Sequence, residues 1–161
     1  MAEEKEVIIA IDDDELTLAT IEKVLGTAGD YEILTFNRSI RGQAEVKREA
    51  KQRKGLPLVL LDLNMPLLDG YTLFRNLRTN PELEKIPVII ISGYELDKSK
   101  IQGVREPDDY FSKPIDFLRL ITAIKRVISQ SRADTQGVIK ANAEYVRIIE
   151  SIIRSSRKKF D

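Results

Sequence analysis

Five short apolar runs recur along the chain, and a stretch with helical periodicity separates each from the next. The runs are EVIIAI at Glu6–Ile11, YEILTF at Tyr31–Phe36, PLVLLD at Pro57–Asp62, IPVIIIS at Ile86–Ser92, and a short strand within DDYFSKP at Asp108–Pro114. Most are continuously apolar rather than alternating, the pattern of strands buried on both faces. The first helical stretch carries Leu16, Ala19, Ile21, Val24 and Leu25 on one stripe and stops at Gly26 and Gly29. A charged helix follows over Ser39–Gly55, and a third starts at Asp69, a natural N-cap, and stops before Pro81. Asp97–Glu106 predicts only a weak, glycine-containing helix. Ile115–Gln130 is strongly amphipathic along Phe117, Leu120, Ile121, Ile124, Val127 and Ile128. Strand–helix alternation of this kind predicts an α/β fold, a doubly wound parallel sheet of five strands covered on both faces.

Composition narrows the chemistry. The 161 residues suit one domain with an appendage. Lys plus Arg and Asp plus Glu balance at 26 each, so net charge gives no argument for nucleic acid or membrane as a partner. There is no Cys, which excludes disulfide and thiol chemistry, and no His, which removes the commonest general base and any phosphohistidine on this chain. The apolar runs are far too short to span a bilayer, and the acidic start, MAEEKEVI, opens no signal peptide; a cytoplasmic location is the default expectation.

Beyond Gln130 the character changes. SRADTQG, Ser131–Gly137, is polar and reads as a hinge, and VIKANAEYVRIIESIIRSSRKKF then reads as another amphipathic helix with a basic end. The division expected is residues 1–131 as the α/β domain and residues 132–161 as a polar linker and C-terminal helix. A 3–4 spacing runs from Phe117 through Ile121, Ile124, Ile128, Ser131, Thr135, Val138, Asn142, Tyr145 and Ile149 to Ile152, with the polar stretch interrupting it.

In open α/β sheets, sites form at the carboxyl ends of the strands. Asp12 and Asp13 end the first strand, Asp62 the third and Ser92 the fourth, while Lys113 and Pro114 follow the fifth. Three carboxylates, a hydroxyl and an amine therefore converge. Clustered carboxylates repel unless a cation joins them. Oxygen donors without His or Cys select a hard ion, and Mg²⁺, which also binds phosphate oxygens, suits the set. A carboxylate can itself be the nucleophile, so the set suggests phosphoryl transfer to one Asp.

Four pieces, AIDDDELT, LLDLNMPLLDGY, IIIS and DYFSKP, occur in an order and spacing that resemble the receiver domain of two-component response regulators, over about Glu6 to Gln130. The resemblance implies a flavodoxin-like sheet of order 2-1-3-4-5. It implies that Asp62 is the phosphoacceptor, that Asp12, Asp13, Asp62 and the backbone carbonyl of Asn64 hold Mg²⁺, and that Lys113 pairs with the phosphoryl group. It places Ser92 and Tyr110 at the two switch positions and a cis peptide between Lys113 and Pro114, a bond that proline permits. The implied partner is a sensor histidine kinase or a histidine phosphotransfer protein, and the implied role is a switch, not an enzyme, with autophosphorylation and autodephosphorylation chemistry of its own.

Plainer readings compete at some positions. Asp14 and Asp69 are expected as helix caps, Tyr94 as a loop-packing residue, and KREAKQRKG as a solvated helix face. The stretch GYELDKSKIQGVREPDDYF departs from the family, with Pro107 where a small-residue turn is usual. From another class, a haloacid-dehalogenase-like phosphatase also uses an Asp nucleophile. That family needs an acid two residues on, where Asn64 stands here. The output stays open between action by protein contact, a receiver fragment of a larger regulator, and a homodimer through the C-terminal helix.

Overall fold

The computed structural model describes residues 4–52 and 55–157, the last six of these by backbone alone. The elements run β1 (Glu6–Ile11), α1 (Glu15–Ala28), β2 (Tyr31–Phe36), α2 (Ser39–Gln52), β3 (Leu58–Leu61), α3 (Gly70–Thr79), β4 (Val88–Ser92), a 3-10 turn (Lys98–Ile101), β5 (Asp109–Ser112) and α4 (Phe117–Arg157). The strands form one parallel sheet in the order β2-β1-β3-β4-β5. The chain folds outward from β1 in one direction and from β3 in the other. The carboxyl ends of β1 and β3 are therefore neighbours at the point where strand order reverses.

The continuous apolar runs exist because the sheet has two cores. Val7, Ile9 and Ile11 of β1, Val59 and Leu61 of β3, and Val88 and Ile90 of β4 face a layer built from α2 and α3. The intervening Ile8, Ala10, Leu58, Leu60, Ile89 and Ile91 face a layer built from α1 and the first turns of α4. Residues of the three central strands, Glu6 apart, are thus buried whichever way they point, whereas β2 and β5 at the sheet's edges are mostly half-buried; burying an aliphatic side chain fully is worth about 1.5–3 kcal/mol.

Two expectations change. The weak helix over Asp97–Glu106 condenses to one 3-10 turn, capped by Asp97 and anchored by the buried Ile101. Gly103 follows at φ 80°, a left-handed conformation that ends any helix there. The expected hinge at Ser131–Gly137 is absent: α4 runs through it without a break. Arg, Ala, Asp, Thr and Gln are all tolerated in helices, and one glycine costs only about 1 kcal/mol. Two compact units result, Met1–Ile128 and Ser129–Asp161. The first contains the sheet and both cores; the second is the distal part of α4. Ile152 as a side chain, and the basic end beyond Arg157, lie outside the described residues.

Candidate functional site

The carboxyl edge of the sheet gathers the acids. Asp12 leaves β1 with its amide donating to the Phe36 carbonyl at 3.1 Å, and Asp62 leaves β3 with its amide donating to the Ile11 carbonyl at 2.9 Å. Backbone pairing therefore extends one residue past each strand and fixes where both side chains emerge. Oxygens of Asp12, Asp13 and Asp62 lie within 4.8 Å of one another. Asp12 and Asp62 are buried and Asp13 is exposed, so the cluster opens to solvent on one side.

Lys113 enters from the loop after β5. Its amide donates to the Ser92 carbonyl at 2.8 Å, continuing the β4–β5 pairing. Its Nζ donates to Asp12 Oδ2 at 2.6 Å and lies 3.7 Å from Asp62 Oδ2. Burial works to lower the Lys113 pKa, but the Asp12 hydrogen bond and the charges of Asp12 and Asp62 outweigh it and leave it raised. One ammonium faces three carboxylates, and the imbalance falls on Asp62. Burial, then the Asp12 charge, push its pKa up to about 6 despite Lys113. Asp62 accepts one long hydrogen bond, from the Asn64 amide at 3.4 Å. Its lone pairs are otherwise available to a cation or an electrophile.

The loop after β3 is shaped by backbone contacts. Gly70 donates to the Leu63 carbonyl at 2.9 Å, and a Cβ at this position would sit 2.0 Å from the Asp62 carbonyl oxygen. Glycine at the start of α3 is therefore a condition for the loop's shape. Asp69 caps the same helix by accepting from the Thr72 amide at 2.9 Å, and Asp14 caps α1 by accepting from the Leu16 amide at 3.1 Å. Both acids are caps, as their positions predict, rather than members of the cluster.

Ser92 is fully buried at the end of β4. Its Oγ accepts from the Asn64 side-chain amide at 3.1 Å and from the Tyr94 amide at 3.3 Å. The Asn64 side chain thus ties the acid loop to the β4 hydroxyl, a contact that sequence spacing does not reveal, since the family resemblance implies a role for the Asn64 carbonyl alone. Tyr110 on β5 donates its hydroxyl to the Tyr94 carbonyl. The Tyr94 side chain itself is 71% exposed, which corrects the expectation that it packs within the loop. Tyr71, not singled out by sequence, accepts from the Asp97 amide at 2.9 Å and lies under the Lys100 ammonium at 4.7 Å. The segment between β4 and the 3-10 turn is therefore pinned on both sides. The Lys113–Pro114 peptide is cis.

The response regulator receiver domain family matches residues 8–125. The chain belongs to that family. It is 33% identical over 132 residues to the response regulator PleD of Caulobacter vibrioides, covering 78% of this chain and 28% of PleD. It is 30% identical over 126 residues to the transcriptional regulatory protein AruR of Pseudomonas aeruginosa, covering 78% of this chain and 50% of AruR. A crystal structure of a response regulator receiver domain protein from Clostridium thermocellum superposes with a TM-score of 0.65 at 26% identity, covering 80% of this chain and 98% of that one. The chain spans about half or less of the length of the curated relatives it matches. Receivers are signalling switches that interact with histidine kinases or phosphotransfer proteins and bind a metal ion at an acidic pocket. The phosphatase reading falls away with the family match. The donor set fits such a metal: three carboxylates, no nitrogen or sulfur, and too little positive charge among the neighbours. Among the described residues, no helix is long and apolar enough to cross a membrane.

Proposed function

We propose that the chain is a phosphorylation-dependent switch with Asp62 as acceptor, Asp12, Asp13, Asp62 and the Asn64 carbonyl as ligands of Mg²⁺, and Lys113 as partner of the phosphoryl group. The observation that carries this is the cluster itself: a buried carboxylate with its pKa raised to about 6, two further acids, and one lysine divided between two of them. In the reaction, an Asp62 oxygen forms a bond to phosphorus. The donor's phosphorus–nitrogen bond breaks, and the donor imidazole leaves with that electron pair and takes a proton from solvent. Mg²⁺ held by Asp12, Asp13, Asp62 and the Asn64 carbonyl would supply charge neutralisation to the transferred oxygens. Lys113 can turn from Asp12 towards a phosphoryl oxygen without leaving the pocket.

The conformational part follows from the contacts that Ser92 makes. Ser92 Oγ accepts from Asn64 and Tyr94, so its hydroxyl proton is left to donate to a phosphoryl oxygen, and Tyr110 is held to the same segment through the Tyr94 carbonyl. A new dianion at Asp62 draws the Ser92 hydroxyl towards it, and the β4 loop, which Ser92 holds through the Tyr94 amide and Tyr110 through the Tyr94 carbonyl, shifts with it. The partner is a protein donor such as a sensor histidine kinase or histidine phosphotransfer protein, and the output runs through protein contacts in the cytoplasm. The domain division proposed is residues 1–131 as the receiver and residues 132–161 as an appended segment.

Acetyl phosphate with Mg²⁺ tests the assignment by intact mass. One phosphoryl group is expected on the wild-type chain, none on Asp62→Asn, and none on either after the metal is chelated. An unmodified wild-type chain under conditions that load another receiver overturns the assignment.

A further inference from the structure

The distal part of α4 exposes six large hydrophobic side chains within twelve residues: Val138, Ile139, Tyr145, Val146, Ile148 and Ile149. Elsewhere the exposed large hydrophobics are scattered, at Leu16, Ile40, Leu67, Tyr94 and Leu118. At 100° per residue the six fall on one half of the helix, and Lys140, Glu144, Arg147 and Glu150 fall on the other. A helix with an apolar half exposed to water needs a partner.

The centre of that face shows what the partner is. Because the helix is unbroken through Ser131–Gly137, the 3–4 spacing is continuous: Ser131, Thr135, Val138, Asn142, Tyr145, Ile149. In heptad terms Asn142 occupies an a position, between d positions at Val138 and Tyr145. An amide in mid-seam needs both a donor and an acceptor opposite it, and a second Asn142 supplies both. A parallel, in-register copy also sets Thr135 against Thr135 and Ser131 against Ser131, so every polar layer meets its like. An antiparallel copy centred on Asn142 would oppose Thr135 to Ile149. An anionic lipid surface is disfavoured along the apolar face: over Ser129–Ser151 the charges are Arg132, Lys140 and Arg147 against Asp134, Glu144 and Glu150, a neutral balance, and the excess cations, Arg154, Arg157, Lys158 and Lys159, come only beyond it, whereas membrane helices carry them along the polar face.

We infer that residues 131–151 form one strand of a parallel, in-register coiled coil with a second copy of this chain, and that Asn142 sets its register. Self-association through this seam is independent of the phosphoacceptor chemistry, and its failure leaves the assignment of Asp62 untouched.

The chain has no native cysteine, so single cysteines report the register cleanly. The full chain carrying Val138→Cys or Tyr145→Cys is expected to form disulfide-linked dimers on mild oxidation, and Arg147→Cys, on the outer face, is expected to form few. Light scattering is expected to give twice the 18.4 kDa chain mass at micromolar concentration. Tyr145→Glu with Ile149→Glu is expected to reduce it to the monomer while acetyl phosphate still modifies Asp62. Asn142→Leu is expected to tighten association and admit higher oligomers. A monomer mass at 100-fold higher concentration overturns the proposal. A dimer that cross-links as well from Arg147→Cys as from Val138→Cys overturns the seam, and a dimer that links Thr135→Cys only to Ile149→Cys overturns the parallel register.

Discussion

The receiver holds buried charge at both edges of its sheet, and the two clusters are built on opposite principles. At the amino edge, Arg78 of α3 is buried beneath the starts of β4 and β5. Its guanidinium donates to the carbonyls of Ile86 at 2.7 Å, Glu84 at 3.1 Å and Arg105 at 3.2 Å, and to Asp108 Oδ2 at 3.4 Å. The Phe74 ring lies beneath it at 4.9 Å. Asp108 in turn accepts from the Val88 amide at 2.8 Å and from Arg105 at 2.7 Å. Burial, helped by the Arg105 charge, lowers the Arg78 pKa to about 10, which leaves it charged at neutral pH. At the carboxyl edge, three acids share one lysine, and Asp62 accepts a single long hydrogen bond. The amino-edge cluster is satisfied by the protein and therefore structural. The carboxyl-edge cluster is left short of donors and positive charge, and what it lacks is what a metal ion and a phosphoryl group bring.

The contrast predicts opposite signs for neutralising the two sites. Arg78→Met keeps the stem but removes every donor, taking their side-chain partner from the Ile86 and Arg105 carbonyls and leaving the Glu84 carbonyl and Asp108 with Arg105 and the Val88 amide alone. A loss of about 3–5 kcal/mol is expected by urea denaturation. A loss under 1 kcal/mol would mean that the amino-edge cluster is not structural.

Asp62→Asn is expected to stabilise the metal-free protein, and the gain should depend on pH. The Asp62 carboxyl has a pKa of about 6 when folded against 3.8 as the ordinary value. Between those values the folded chain holds a proton that the unfolded chain has released, so stability falls as pH rises through the interval. The cost is complete above pH 6 and absent below about pH 4. At ~1.4 kcal/mol per tenfold it reaches at most about 3 kcal/mol. Denaturation in a chelator should therefore show the variant more stable at pH 8 and equal to wild type at pH 4. Mg²⁺ should narrow the gap by stabilising the wild type. A variant no more stable at pH 8 than at pH 4 would show that Asp62 is not under electrostatic load.

How much of this contrast the sequence discloses depends on how local its causes are. The strands were legible because burial on both faces leaves unbroken runs such as VIIAI and VIII. The acid cluster was legible because topology brings strand ends together whatever the details, so Asp12, Asp62, Ser92 and Lys113 needed no side-chain conformation to be grouped. Arg78 was not legible: arginines are mostly exposed, and burial of this one depends on carbonyls that two separate loops present, Glu84 and Ile86 in one and Arg105 in the other. The Asn64–Ser92 hydrogen bond spans 28 residues and depends on one rotamer. The 3-10 turn depends on the backbone at Gly103, and the unbroken α4 on the small sum of helix costs over the seven residues Ser131–Gly137, both below what pattern reading resolves.

Gly70 tests how tightly the carboxyl edge is set. A Cβ there would meet the backbone at Asp62 and Leu63, at 2.0 and 2.5 Å, and neither atom can rotate away. Gly70→Ala must shift the start of α3 or the loop after β3. A loss of about 1–3 kcal/mol is expected from the overpacking. Phosphorylation by acetyl phosphate should slow by up to about 100-fold, since the acceptor moves with the loop. Gly26→Ala in α1, where a Cβ meets nothing within 4 Å, is the control: it should raise stability by up to about 1 kcal/mol and leave the phosphorylation rate unchanged. A full phosphorylation rate in Gly70→Ala would show that the acceptor loop is slack.

Backbone strain divides between the edges as charge does. In the loop before β5 the left-handed conformation falls on Gly103, at no steric cost. In the loop after β3 it falls on Leu67, at φ 69°, and the leucine side chain is 93% exposed. Leucine in that conformation costs roughly 1–2 kcal/mol, and the exposed side chain recovers little by packing. Asparagine adopts the left-handed region readily without adding the backbone freedom of glycine to the unfolded chain. Leu67→Asn is therefore expected to stabilise the receiver by about 0.5–1 kcal/mol, the smallest of these effects, read as a higher urea midpoint at unchanged slope. The acetyl phosphate reaction should proceed at the wild-type rate, because Leu67 is almost fully exposed to solvent. A slower reaction in the more stable variant would show that the strain is coupled to the acceptor, and that the carboxyl edge is held under mechanical as well as electrostatic load.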